Sequence, residues 1–258
     1  MNIDFPKSRH IPALRELWKE AFGDSDAFLD AFFATGYQAN HCRCLFQKDH
    51  PLAVVYWFDC EYQKRPLAYL YAIATVEKYR GQGLCGDLLA DTHRYLKNTS
   101  YVGTLLVPGS PTLFSFYEKL GYQQGSSIHC FCCEATKETV SLQEISAKEY
   151  AGLRPFLLPH GSVIQKQANL DFLQTQARFF KGDDFLLTAS LSTDTFAGIE
   201  LLGNAAIGPQ ILATLGYPMG TFRTPGNTVP FTMYYSLDDN ILPPPNYFGF
   251  AFDNRVGG

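Results

Sequence analysis

Apolar residues Ile11, Leu14, Leu17, Trp18, Ala21 and Phe22 recur at three- and four-residue steps, the period of one helix face. Pro12 falls in the first turn, where a helix tolerates it, and Gly23 is placed to end the segment. A second helix is predicted after Asp24 or Ser25, either of which can cap it. Its apolar face holds Phe28, Leu29, Phe32 and Phe33, and Gly36 closes it. Both faces read as core packing, and the loop between the helices is also placed to border a substrate site.

From Cys42 the period changes. "HCRCLFQ", "LAVVYWFDCEY" and "LAYLYAIATV" are β-rich runs separated by the turn residues "KDHP" and "QKRP", which predicts an antiparallel meander. Helix period returns through Leu84, Leu88, Leu89, Thr92 and Tyr95. "VGTLLV" reads as a buried strand and "SPTLFSFYEKLGY" as a short helix with Pro111 at its start and Gly121 at its end. "IHCFCCEA" is expected to complete this sheet as a strand. The resulting fold class is α/β, a mixed and mostly antiparallel sheet flanked by helices.

Composition narrows the function classes. Of 258 residues, 46% are hydrophobic and 15% aromatic, too apolar a balance for a disordered chain. A net charge of -4 without a Lys/Arg run argues against a nucleic-acid partner and leaves a small-molecule substrate. The N-terminus lacks the basic-then-apolar pattern of a signal peptide, and no run reaches membrane-spanning length, so a cytoplasmic location and no membrane partner are expected. Seven cysteines, an odd number, fit free thiols better than disulfides. CxC spacing on a strand puts Cys42/Cys44 and Cys130/Cys132 on one face as small hydrophobes, and no metal is expected.

The stretch "VEKYRGQGLCGDLL" packs glycines and an arginine where a strand hands over to a helix. Backbone N–H groups at a helix N-terminus are unpaired and lie at the positive end of the dipole, so they can grip a pyrophosphate. Arg80, Gly81, Gln82, Gly83, Leu84 and Cys85, followed by Gly86, fill a Q/R-x-x-G-x-G/A pattern after an apolar strand. With "FYEKLGY" downstream, the region from Tyr69 to Tyr122 resembles the GNAT superfamily of acetyl-CoA-dependent N-acetyltransferases. Cys85 departs from that pattern, since a thiol stands at the small Gly/Ala place and has to fit close to the phosphates or shift the loop.

The resemblance implies acetyl-CoA as co-substrate, transfer to a primary amine by direct attack, and Tyr117 as the acid that protonates the departing thiolate. It implies that backbone groups of Ile73, Ala74 and Thr75 reach the acetyl and pantetheine portions, and that Ser110 stands where many members carry an Asn that helps hold the cofactor. Holding amine and thioester together removes an entropic barrier of roughly 7–11 kcal/mol, and the N–H donors aid the oxyanion. The histone-modifying branch of the family places a Glu near the position of Leu67, so that base does not carry over. Glu61, Asp59, His129 or a water chain remain as proton acceptors, and none is named catalytic. Tyr56, Trp57 and Tyr62 either line the amine cleft or fill the core.

Beyond Thr136 the family motifs stop. Ser146 with Glu149 forms a capping box, which resembles a domain start. A helix about Leu170 to Phe180, a hairpin in "DDFLLTASLSTDTFAGIELLG", a helix in "AAIGPQILATLGY" and strands in "GTFRT" and "FTMYYSL" follow. The order suggests a second, smaller and degenerate GNAT-like domain. It divides the chain into 1–136 and 140–258. "ELLGNAAIGPQIL" stands where the phosphate loop would be, without the arginine and the glycine spacing, so no coenzyme is expected there.

Other readings stay open. One is an aminoglycoside-type acetyltransferase of the enhanced-intracellular-survival kind, with a sterol-carrier-like C-terminal region and its C-terminal carboxylate at the active site. Another is a non-catalytic acyl-CoA-binding sensor. A transferase taking an aminoacyl group from tRNA is disfavoured by the acidic balance. "LPPPNY" reads as a stiff spacer, and the apolar richness leaves room for a homodimer contact.

Overall fold

The computed structural model describes residues 1–191, 195–238 and 242–249. The first half runs β1 (Asn2–Asp4), α1 (Ile11–Phe22), α2 (Asp26–Ala31), β2 (Cys42–Gln47), β3 (His50–Tyr62), β4 (Arg65–Thr75), α3 (Leu84–Asn98), β5 (Gly103–Leu106), α4 (Pro111–Lys119), β6 (Gln123–Gln124) and β7 (Ser127–Glu134). The second half runs β8 (Gln143–Ile145), α5 (Ala147–Leu153), β9 (Ile164–Gln165), α6 (Gln167–Gln174), β10 (Arg178–Lys181), β11 (Phe185–Leu191), β12 (Phe196–Gly203), α7 (Gly208–Leu215), β13 (Met219–Pro225), β14 (Val229–Pro230) and β15 (Met233–Ser236).

Local signals set the helix ends. Gly23 stops α1 in the left-handed region at φ +73°, which glycine adopts without steric cost. The Ser25 side chain accepts from the Phe28 N–H to cap α2, and Ser146 does the same for α5 through Glu149. The predicted helix about Leu170 to Phe180 is shorter than its apolar pattern. It ends at Gln174, and Arg178–Lys181 pair with β8 and β11 as a strand, where Phe179 and Phe180 are buried.

The two sheets repeat one topology. The first has the order β1-β2-β3-β4-β5-β15-β6, and the second, read from its other end, β8-β10-β11-β12-β13-β7-β14. In each, the fourth and fifth strands are parallel, β4 with β5 and β12 with β13. The remaining neighbours along each order are antiparallel. The second half therefore repeats the sheet topology of the first. The strand in "IHCFCCEA" does form, but as β7 in the second sheet, pairing β13 from Met219↔Glu134 to Pro225↔Ile128. Its expected place in the first sheet is filled by β15, from the far end of the chain.

Alternating side chains send the inner strands' residues to two cores. One face of the first sheet packs Tyr56 and Phe58 with Trp18 and Phe32. The other packs Trp57 and Leu70 with Leu84, Leu88 and Tyr117. Phe172 of α6 joins the first of these cores, with ring centroids 5.5 Å from Phe28 and 5.3 Å from Phe32. The two halves thus share one apolar interior.

Candidate active site

Strands β4 and β5 pair at Ala68↔Thr104 and Tyr69↔Leu105, and β4 continues to Thr75 beyond that short ladder. Its other edge stays on β3, with Val54 opposite Ala74 and Tyr56 opposite Tyr71. Ala72 and Ile73 together oppose the single residue Val55, a bulge that bends the strand and re-aims its backbone. Ala72 sits there at φ +47°, a region that an alanine adopts only at a cost of about 1–2 kcal/mol.

Between the parted strands lies a cleft of about 540 Å³, within the usual size for a small-molecule site. Ile73 lines it from β4, Ser110 from the start of α4, and Tyr117 from the helix itself. Asp24 lines it from the α1–α2 loop, and Gln176 and Ser190 line it from the second half. The loop between the first two helices thus borders the cleft, as its sequence position suggested.

The glycine-rich loop follows the end of β4. Gly81 and Gly83 adopt φ +75° and +83°, and Gly83 caps α3 without any side-chain hydrogen bond. The first N–H groups of α3 therefore have no partner within the helix, and Gly81, Gln82 and Gly83 are exposed. Arg80 donates through Nε to the Thr75 carbonyl at 3.0 Å, and Gln82 donates to the Lys78 carbonyl at 3.3 Å. Both contacts fix the turn. Ala74 is buried in the core. Leu84 is buried too, under α3.

Cys85 resolves the question raised by its departure from the motif. Its side chain packs against the apolar cluster beneath α3, and burial pushes its thiol up to about 11. Gly86 lets α3 approach α4, since a Cβ there would lie 3.3 Å from Leu120 Cδ2.

Tyr117 is 7% exposed. Burial, with the neighbouring Cys85, holds its hydroxyl well above the ordinary phenol range, so the group is a protonated donor at neutral pH. Its ring meets Tyr122 edge-on at 5.5 Å. Tyr122 in turn bonds His93 Nε2 at 2.8 Å and receives the Thr104 hydroxyl at 3.2 Å. Ser110 precedes α4 and makes a 2.9 Å hydrogen bond with Thr112.

The other sequence candidates lie elsewhere. Asp59 accepts from the Tyr101 hydroxyl, Glu61 pairs with Lys166 at 3.0 Å, and His129 faces Thr228 in a separate cavity of the second half. Tyr56, Trp57 and Tyr62 are each 2% exposed and fill the core, because β3 is an inner strand covered on both faces. The aromatic lining comes instead from Trp18, Phe22, Phe28, Tyr69 and Tyr71. Asp24 was legible only as a capping alternative to Ser25. The proposed role of the C-terminal carboxylate falls outside the described residues.

Among the described residues, the second half has no equivalent loop. Asn204 Oδ1 takes the Ala206 N–H at 3.1 Å, Pro209 removes an N–H in the first turn of α7, and Gly208 is closed in by Cys133, Phe131 and Phe222. Between β13 and β14 only Gly226 to Thr228 intervene, so there is no counterpart of α4 or Tyr117. Among the described residues, no His/Cys/Asp/Glu group has a metal-holding arrangement, and no helix is long and apolar enough to cross a membrane.

Residues 2–125 match the family model of the acetyltransferase (GNAT) domain. By structure the chain is similar to a GCN5-related N-acetyltransferase from Kribbella flavida, at a TM-score of 0.70 and 14% identity over 90% of this chain and 70% of that one. It is also similar to a GCN5-related N-acetyltransferase from Anabaena variabilis, at 0.69 and 14% over 92% and 73%. Eis1 from Mycobacterium abscessus matches at 0.68 and 12% over 92% and 74%. At these identities the likeness is one of fold. No curated protein matches.

Proposed function

We propose that the chain, whose residues 2–125 match the family model of the acetyltransferase (GNAT) domain, is an acyltransferase that moves an acetyl group from acetyl-CoA to a primary amine by direct attack. The observation that supports this reading most is that Tyr117 and the β4 bulge line one cleft, while the glycine loop follows the end of the same strand. β4 and β5 part on one side of that cleft, and Gly81 and Gly83 hold positive φ in the loop beyond β4.

In this reading the first domain, residues 1–136, holds the coenzyme, and the second, 140–258, shapes one wall of the amine cleft through Gln176 and Ser190. The N–H groups from Gly81 to Gly86 receive the pyrophosphate, with Arg80 beside them, and Leu84 and Cys85 anchor the helix from below. Ile73, Ala74 and Thr75 offer backbone groups to the acetyl and pantetheine portions, and Ser110 offers a hydroxyl at the far side. A neutral amine attacks the thioester carbonyl carbon, so a C–N bond forms as the C–S bond breaks. Tyr117 gives its proton to the leaving sulfur, and the amine's proton passes to water. Backbone donors on the bulged strand aid the oxyanion.

Calorimetric titration with acetyl-CoA tests the cradle. One-site binding by the parent, lost in Gly83→Glu, supports the reading, since that change puts bulk and negative charge beside the phosphates. A folded parent that does not bind would make the glycines only a tight turn. Binding without turnover of any amine would favour the sensor.

A further inference from the structure

Among the described residues lining the cleft, Asp24 is the one that carries a charge. The rest of the lining is aromatic, aliphatic or neutral polar. Asp24 is held in place by Trp18, whose buried indole Nε1–H donates to its Oδ2 at 2.8 Å. The basic groups on the neighbouring helix are engaged elsewhere. Arg15 pairs with Asp26 at 3.2 Å and Asp30 at 2.8 Å, and Lys19 pairs with Asp26 at 2.7 Å. Asp24 forms no ion pair among the described residues and presents its charge to the cleft.

Resting on the acetyltransferase reading above, we infer that the cleft selects an acceptor with a second cationic centre, a diamine or polyamine, and that Asp24 binds the ammonium that does not react. The chemistry separates the two nitrogens. Attack requires a neutral amine, whereas a carboxylate in a partly desolvated site stabilises the protonated form of whatever nitrogen sits on it. A monoamine resting on Asp24 is thereby held as an unreactive ammonium. A diamine places one nitrogen there as cation and leaves the other to lose its proton and reach the thioester. An amino acid brings a carboxylate into a lining that offers it no cation and one anion. Gln176 and Ser190, from the second half, complete the polar far wall for the chain between the nitrogens.

The test compares kcat/KM for three acceptors of equal chain length, cadaverine, n-pentylamine and ω-aminovalerate, in the parent and in Asp24→Asn, with acetyl-CoA calorimetry on both proteins. A charge-assisted contact supports a preference of about tenfold or more for cadaverine over n-pentylamine, with ω-aminovalerate the poorest. In Asp24→Asn the cadaverine preference collapses, chiefly through KM, while acetyl-CoA still binds. Trp18→Phe, which removes the indole donor together with part of the buried ring, weakens the same preference. Equal use of n-pentylamine or ω-aminovalerate by the parent overturns the inference and leaves the acetyltransferase reading standing. So does a cadaverine preference that survives Asp24→Asn. A parent that turns over no amine at all overturns both.

Discussion

Ser126 and Thr232 meet where the two exchanged strands cross between the sheets. The Thr232 hydroxyl accepts the Ser126 N–H at 2.7 Å and lies 3.0 Å from the Ser126 hydroxyl, and both residues are buried. Gly125 beside them is obligatory, because a Cβ there would stand 2.4 Å from Thr232 Oγ1. Each sheet therefore depends on a strand from the other half. A chain ending at Thr136 lacks β15, which leaves one edge of β5 unpaired and β6 without a partner strand, and edges of that kind recruit other chains. It is expected to aggregate, whereas the full chain unfolds in one transition by calorimetry. A soluble, cooperatively folding 1–136 fragment would show the exchange to be dispensable.

A buried ion pair ties the second half together. Arg154 donates to both oxygens of Glu200 at 2.8 Å, and the hydroxyls of Tyr150 and Tyr247 complete the carboxylate's shell at 2.8 and 3.0 Å. Removing one partner strands a charge without solvent, so Glu200→Gln or Arg154→Met is expected to cost about 3–5 kcal/mol. Urea unfolding reads this directly. The double variant is expected to recover part of that loss.

His93 couples stability to pH. Burial pushes its imidazole down to about 4, and the ring stacks on Tyr235 at 4.1 Å. The unfolded chain takes up this proton near pH 6.5 and the folded chain only near 4, so stability falls as pH drops through that window. The loss approaches about 3 kcal/mol at its acid end. In His93→Gln the slope of unfolding free energy between those pH values flattens. An unchanged slope would assign the acid sensitivity to other groups.

Tyr117→Phe is expected to lower kcat on the order of a hundredfold while the calorimetric affinity for acetyl-CoA stays near the parent's. Because the phenol is held above its ordinary range, its deprotonation produces no alkaline fall in kcat below about pH 10. A fall near neutrality that disappears in the variant would mean that the hydroxyl ionises far earlier than its burial allows.

Local pattern made much of the first half legible. Three- and four-residue spacing located α1, α3 and α4, and β-rich runs set off by turn residues located β2, β3 and β4, because both signals are written in each element's own residues. The glycine loop was legible for the same reason, since positive φ and an uncapped helix start leave a residue signature at Gly81 and Gly83. The end of α6 was not. Residues 178–181 have side chains suited to either element, and their pairing with β8 and β11 decides between them.

The sequence by itself determined which segments are apolar on one face, where helices start and stop, and that a strand-to-helix turn can face an anion. Only the tertiary structure decided that β7 and β15 change sheets, since a strand's alternation names a buried face but not the neighbour that covers it. Tertiary structure also decided that Cys85 points inward, that Tyr56, Trp57 and Tyr62 are core, and that Asp24 lines the cleft. Those facts follow from which elements pack together across long sequence separations, and no local period encodes them.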